Sequence, residues 1–130
     1  MLEKILYTQL LVTDQDTALD FYTNVLGFEL AVDAPTADGN RFIAVGLTGQ
    51  DFQLILWPGT PGKAQPAEGR VPAAYTIQTD DCRKAFEELK SRGVKFETDV
   101  LEYPWGYIAL FEDPDGNRLQ VREARLPASA

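Results

Sequence analysis

The chain has 130 residues, and not one of them is histidine. That absence removes the Ser-His-Asp and Cys-His nucleophile systems, and with them every imidazole-ligated metal centre. Four kinds of group are left to do chemistry. They are the phenol of Tyr7, the amides of Gln9 and Gln120, the single thiol of Cys82, and the acidic run Asp113-Pro114-Asp115-Gly116-Asn117. A tyrosine hydroxyl can serve as an acid or a hydrogen-bond donor. With a pKa of about 10 it is a feeble base unless a cation stands beside it, and the strand-like run Tyr7 to Val12 supplies none.

The thiol and the acidic run are weaker candidates. Cys82 falls in the first turn of an expected helix, where the helix terminus favours thiolate, but Asp80 and Asp81 oppose that effect and no base is available. The acidic run resembles a calcium loop only in its alternating acids. No glutamate follows at the required distance and no helix pair flanks it, so the expectation is a tight turn between Phe111 and Leu119. The aromatic run Tyr103-Pro104-Trp105-Gly106-Tyr107 offers something else. A tryptophan face can hold an aromatic or cationic group by stacking or cation–π attraction. The competing reading for Trp105 is plain packing in a core or interface, since tryptophan is highly buried on average.

Twenty acidic against 12 basic side chains leave a formal net charge of −8. The basic face that nucleic acid requires is therefore not expected, and anionic membrane surfaces are disfavoured for the same reason. No apolar run approaches the roughly 20 residues of a membrane span. The start, Met1-Leu2-Glu3-Lys4-Ile5, lacks the basic n-region and long apolar stretch of a secretion signal. One cysteine makes no intramolecular disulfide. These features together predict a cytoplasmic protein. A content of 45% hydrophobic residues suffices for a single domain over residues 1–130.

The elements that must position these groups come in a repeating order. Tyr7-Thr8-Gln9-Leu10-Leu11-Val12 reads as a strand, Asp14 or Asp16 as the cap of a helix over roughly residues 15–26, and Gly27 as its stop. Strands are expected at 28–32, 42–45 and 52–56. Residues 58–72 hold four prolines and three glycines and read as a linker. The order then returns, with a strand over 74–78, a helix capped by Asp80 or Asp81 and stopped by Gly93, and strands at 94–96, 107–111 and 118–122. Thr13-Asp14 against Thr79-Asp80, Gly27 against Gly93, and 52–56 against 118–122 all agree on an offset of 66. The predicted fold is α+β. Two tandem β-α-β-β-β modules, about 5–57 and 73–123, would curve mixed sheets around a shared cavity suited to a small ligand.

The run from Val12-Thr13-Asp14 through Phe21-Tyr22 to Val25-Leu26-Gly27-Phe28 resembles the first helix of the vicinal oxygen chelate superfamily. That group includes glyoxalase I, extradiol dioxygenases and bleomycin resistance proteins. Pro104-Trp105-Gly106 and Phe111-Glu112-Asp113-Pro114-Asp115-Gly116-Asn117-Arg118-Leu119 add to the likeness, which covers about residues 5–123. The resemblance implies a homodimer and, in the metalloenzymes of the group, one divalent cation held by four side chains, usually histidine and glutamate. In this chain those four positions are Tyr7, Leu54, Ala74 and Gln120. Two of them have no donor atom and none is a carboxylate, so no metal or other cofactor is expected.

If these positions face the cavity, alternation adds Gln9 and Leu11 beside Tyr7, Arg118 and Arg122 beside Gln120, Thr76 and Gln78 beside Ala74, and Phe52 and Leu56 beside Leu54. Such a lining suits an uncharged or weakly polar organic compound, with Tyr7, Gln9, Leu54, Trp105 and Gln120 as the expected ligand contacts. In bleomycin resistance proteins, aromatic residues of the Trp105 kind help form the drug groove at the dimer interface. Two functions follow from different classes. One is a metal-free binding protein that sequesters or carries an organic ligand. The other is an enzyme of the lyase or isomerase type on a non-standard site, with Tyr7 as acid and Gln9 or Gln120 orienting the substrate. A third possibility is an inert subunit whose cavity its own side chains fill.

Overall fold

A computed structural model describes residues 1–60 and 73–124 of the chain. It divides into two compact units, Met1–Gly62 and Lys63–Ala130. Each holds one curved mixed sheet with a helix on one face, so the fold is α+β. Among the described residues no helix is long and apolar enough to cross a membrane. The expected linker over 58–72 lies outside the described residues from position 61 onward.

In the first unit, β1 (Tyr7–Val12), α1 (Gln15–Asp20), β2 (Glu29–Pro35), β3 (Arg41–Gly46) and β4 (Gln53–Pro58) give a sheet ordered β1-β4-β3-β2. Strand β1 runs parallel to β4, and the remaining pairs are antiparallel. Asp14 is the helix cap. Its carboxylate accepts the Thr17 N–H at 3.0 Å, and the neighbouring Asp16 puts further negative charge in the first turn. Past Asp20 the helix widens into a π turn over Phe21–Val25, in which the Leu26 N–H donates to the Phe21 carbonyl five residues back. This turn seats the fully buried Tyr22 edge-on between the rings of Phe21 and Phe28. Gly27, at φ 85°, then ends the helix in the left-handed region that only glycine enters without strain.

In the second unit, β5 (Tyr75–Gln78), α2 (Cys82–Ser91), β6 (Lys95–Phe96), β7 (Leu101–Tyr103), β8 (Gly106–Glu112) and β9 (Arg118–Ala124) form a five-stranded sheet. Its path is β5-β9-β8-β6, with β7 also paired to β8. Asp81 caps α2 by accepting the Lys84 N–H at 3.0 Å, and Gly93 at φ 91° is its stop. Phe86 on α2 packs on Phe96, which packs on Phe111. Strand β7 goes beyond the expected module. It is three residues long, too short for a period-2 pattern to register, and exists through its pairing with β8 across the turn at Pro104-Trp105. The acidic run is the expected turn. The Asp113 carboxylate, 5% exposed, accepts the N–H groups of Asp115 and Asn117 and the Asn117 side-chain amide, all within 2.9 Å.

The single offset of 66 does not hold for every element. The capping residues, Asp14 and Asp81, stand 67 positions apart, and the stop glycines 66. On that basis Thr8, paired with Leu54, corresponds to Tyr75, paired with Leu119, which sets the last strands 65 positions apart. Strand faces alternate with period 2, so a shift of one residue exchanges the two faces.

Candidate functional site

Pairing register sorts the side chains of each sheet into a face under the helix and a helix-free face. In the first unit Leu10 and Val12 of β1 lie under α1, with Leu54 and Leu56 of β4 in the same core. Tyr7, Gln9 and Leu11 consequently share the helix-free face, as alternation from Tyr7 requires. Tyr7 is 45% exposed and meets Phe42 of β3 edge-on, with ring centroids 6.2 Å apart. Gln9 is exposed, opposite Ile55.

Leu54 is not on this face. It is 3% exposed and belongs to the core beneath α1, so the group expected with it, including Leu56, lies there too. The physical reason is the offset. Counting back 66 from Gln120 gives Leu54, whereas the register of the sheets makes Ile55 the counterpart, and Ile55 lies on the same side as Gln9. The residues of β4 on the helix-free face are Gln53, Ile55 and Trp57.

The second unit gathers more chemistry. Leu119 and Val121 are buried under α2, so Arg118, Gln120 and Arg122 point to the helix-free face. Gln120 donates its side-chain N–H to the Thr76 hydroxyl at 3.5 Å across the parallel β5–β9 pair. Thr76 is exposed on the edge strand β5, and Ala74 is exposed in the bend just before it. Trp105 sits in the β7–β8 turn, 41% exposed, and stacks flat on Tyr103, which is 39% exposed; the rings are within 1° of parallel and 5.2 Å apart. The Arg122 guanidinium lies over the Trp105 ring, 4.6 Å from its centroid. The helix-free face of one sheet thus brings together Trp105, Tyr103, Arg122, Gln120 and Thr76.

Two members of these groups are not placed by the sequence alone. Arg122 is visible by alternation from Gln120, but its place over Trp105 depends on the β7–β8 hairpin. Phe42 gives no signal, because its approach to Tyr7 crosses β4. Cys82 is fully buried, its Sγ faces the Val121 carbonyl at 4.0 Å, and burial together with the Glu123 charge pushes its thiol pKa up. A thiol so placed is a core group, unsuited to attack.

The donor set does not fit the divalent cation of the family's metalloenzymes. Leu54 and Ala74 have no donor atom, Tyr7 and Gln120 offer a phenol and an amide, and Leu54 lies on the covered face of its sheet. Among the described residues no three His, Cys, Asp or Glu side chains come together as a metal-holding group.

Residues 4–121 match the Glyoxalase/Bleomycin resistance protein/Dioxygenase superfamily. The chain belongs to this superfamily. A superfamily member from Sphaerobacter thermophilus has a similar structure, with a TM-score of 0.77 and 32% identity over 94% of this chain and 98% of that one. TnmS3, an antibiotic binding protein from Streptomyces sp. CB03234, also superposes at a TM-score of 0.77, with 29% identity over 95% of this chain and 98% of its own. A lactoylglutathione lyase of Neisseria meningitidis is 29% identical over 90% of this chain and 88% of the lyase. Glyoxalase-superfamily structures share the two curved mixed sheets seen here, and the relatives include both binding proteins and lyases.

Proposed function

We propose that this superfamily member is a metal-free binding protein that sequesters or carries an organic ligand. The observation that carries the reading is the exposed Tyr103–Trp105 stack, with Arg122 over the indole, beside the Gln120 amide. Exposed parallel aromatic rings present a flat apolar surface that a planar ligand can extend, at about 0.5–1.5 kcal/mol per added ring contact beyond area burial. Gln120, oriented by Thr76, adds a polar contact that selects a pose. On the first unit's own helix-free face, Tyr7 and Gln9 are proposed as ligand contacts. The likeness to an antibiotic binding protein supports the same class of ligand.

The protein is further proposed to act as a homodimer in the cytoplasm. Leu30 and Val32, exposed apolar side chains on the edge strand β2, support self-association, and sedimentation velocity tests it.

A lyase or isomerase working from a non-standard site is the second reading. Its support is the relatives named lactoylglutathione lyase and the half-exposed Tyr7 side chain.

A thermal-shift screen separates the two readings. It uses divalent cations with and without chelator and a panel of planar organic compounds. A compound at 100 times its dissociation constant adds about 2.7 kcal/mol. Stabilisation by an organic compound alone is the expected result. Stabilisation by a metal, reversed by chelator, would overturn the metal-free reading.

A further inference from the structure

We infer that the compound held on the second sheet is a planar aromatic anion. Its ring lies against the Tyr103–Trp105 stack and its oxyanion takes the N–H edge of the Arg122 guanidinium. The inference rests on the binding reading above and goes further by fixing the charge of the ligand.

Ion pairs among the described residues include Lys4 with Asp51, Arg41 with Asp16 and Asp33, and Arg118 with Glu97. Arg122 has no described carboxylate within ion-pair distance and is exposed. Among the residues paired in register on its face, the carboxylate is Glu112, opposite Arg118, four residues along β9 from Arg122 and so about 13 Å away. The guanidinium is always charged, and lying over the indole orients it. Its five N–H groups then radiate in one plane, the arrangement that pairs bidentately with a carboxylate. A cationic ligand faces a cation already on the ring it would use. The formal net charge of −8 gives an anion no long-range attraction, so discrimination has to come from this contact.

The test uses the full chain and three isosteric probes, 2-naphthoate, neutral 2-naphthamide and cationic naphthalene-2-carboxamidine. Binding is read by calorimetry and by the Trp105 indole N–H resonance, assigned through W105F. The variants are R122Q and, as a charge-matched control on exposed helix surface, K84Q, with the fold checked by circular dichroism. The expected result is naphthoate binding at least about tenfold tighter than naphthamide in the wild type and in K84Q. In R122Q the two should fall within about twofold of each other. Equal binding of naphthoate and naphthamide, or tightest binding by the amidine, would overturn the anion inference while leaving an aromatic binding site in place. If none of the three perturbs Trp105 at millimolar concentration, the binding reading fails and the inference with it.

Discussion

The backbone N–H of Cys82, the first residue of α2, donates to the Glu123 carboxylate on β9 at 2.8 Å. The bond joins the start of the helix to the last strand and satisfies one of the donors a helix leaves unpaired at its N-terminus, with a charge of the sign the helix dipole favours. E123A should therefore lose about 1–3 kcal/mol of stability in urea unfolding, while E123Q, which keeps an acceptor oxygen, should lose about 1 kcal/mol or less. Equal losses for the two variants would mean that the carboxylate charge carries the whole contribution and a neutral acceptor oxygen none of it.

Cys82 itself should resist thiol reagents in the folded protein. Burial and Glu123 both disfavour its thiolate. Modification should follow the unfolding rate, rising steeply in urea, and rapid labelling under native conditions would contradict the buried placement.

Leu54 and Trp105 should respond in opposite ways to truncation. Leu54→Ala opens a cavity under α1 and should cost about 2–5 kcal/mol. Trp105→Ala removes an exposed side chain and should cost about 1 kcal/mol or less, while weakening the binding of planar compounds. Circular dichroism melts with ligand titration separate the two effects.

These contrasts also mark how far the sequence could be read. The caps, the glycine stops and the alternation in β1 and β9 were legible because each is a local rule acting over a few residues. Asp14 and Asp81 resolved two open choices of cap. Leu54 was misplaced because its face follows from a long-range register. Halves that match at 66 in their stop glycines have lost one residue by their last strands, and a count along the chain cannot tell an even offset from an odd one by chemistry alone. The π turn at Phe21–Val25 and the short β7 left no periodic trace. The Arg122–Trp105 contact needed the β7–β8 hairpin before the two residues could be seen as neighbours.

Acid should reveal the ion pairs of the first unit. Arg41 makes two bonds to the Asp33 carboxylate, at 2.7 and 3.0 Å, and one to Asp16 at 2.5 Å. The hydrogen bonds from Arg41, helped by its charge, hold the Asp33 carboxyl below its ordinary pKa of 3.8. A carboxylate depressed in the folded state contributes stability that is present above 3.8 and lost as the pH falls through the lower, folded value. D33N should accordingly be less stable than the wild type at neutral pH, with the two converging in urea midpoint as the pH falls below 3.8. A constant gap across that range would show that the loss is one of shape alone.

The uneven spacing between the halves has a consequence for protein engineering. Suppose a metal ligand were grafted into the last strand of the first unit, copied from Gln120 by the constant count of 66. The new carboxylate would land at Leu54, beneath α1, where an unpaired charge is strongly destabilising or stays protonated. One position further, at Ile55, it would stand on the same face as Gln9 and Tyr7. Transplanting residues between the halves of this chain therefore needs a map drawn strand by strand, because a fixed ruler moves a side chain from one face of the sheet to the other.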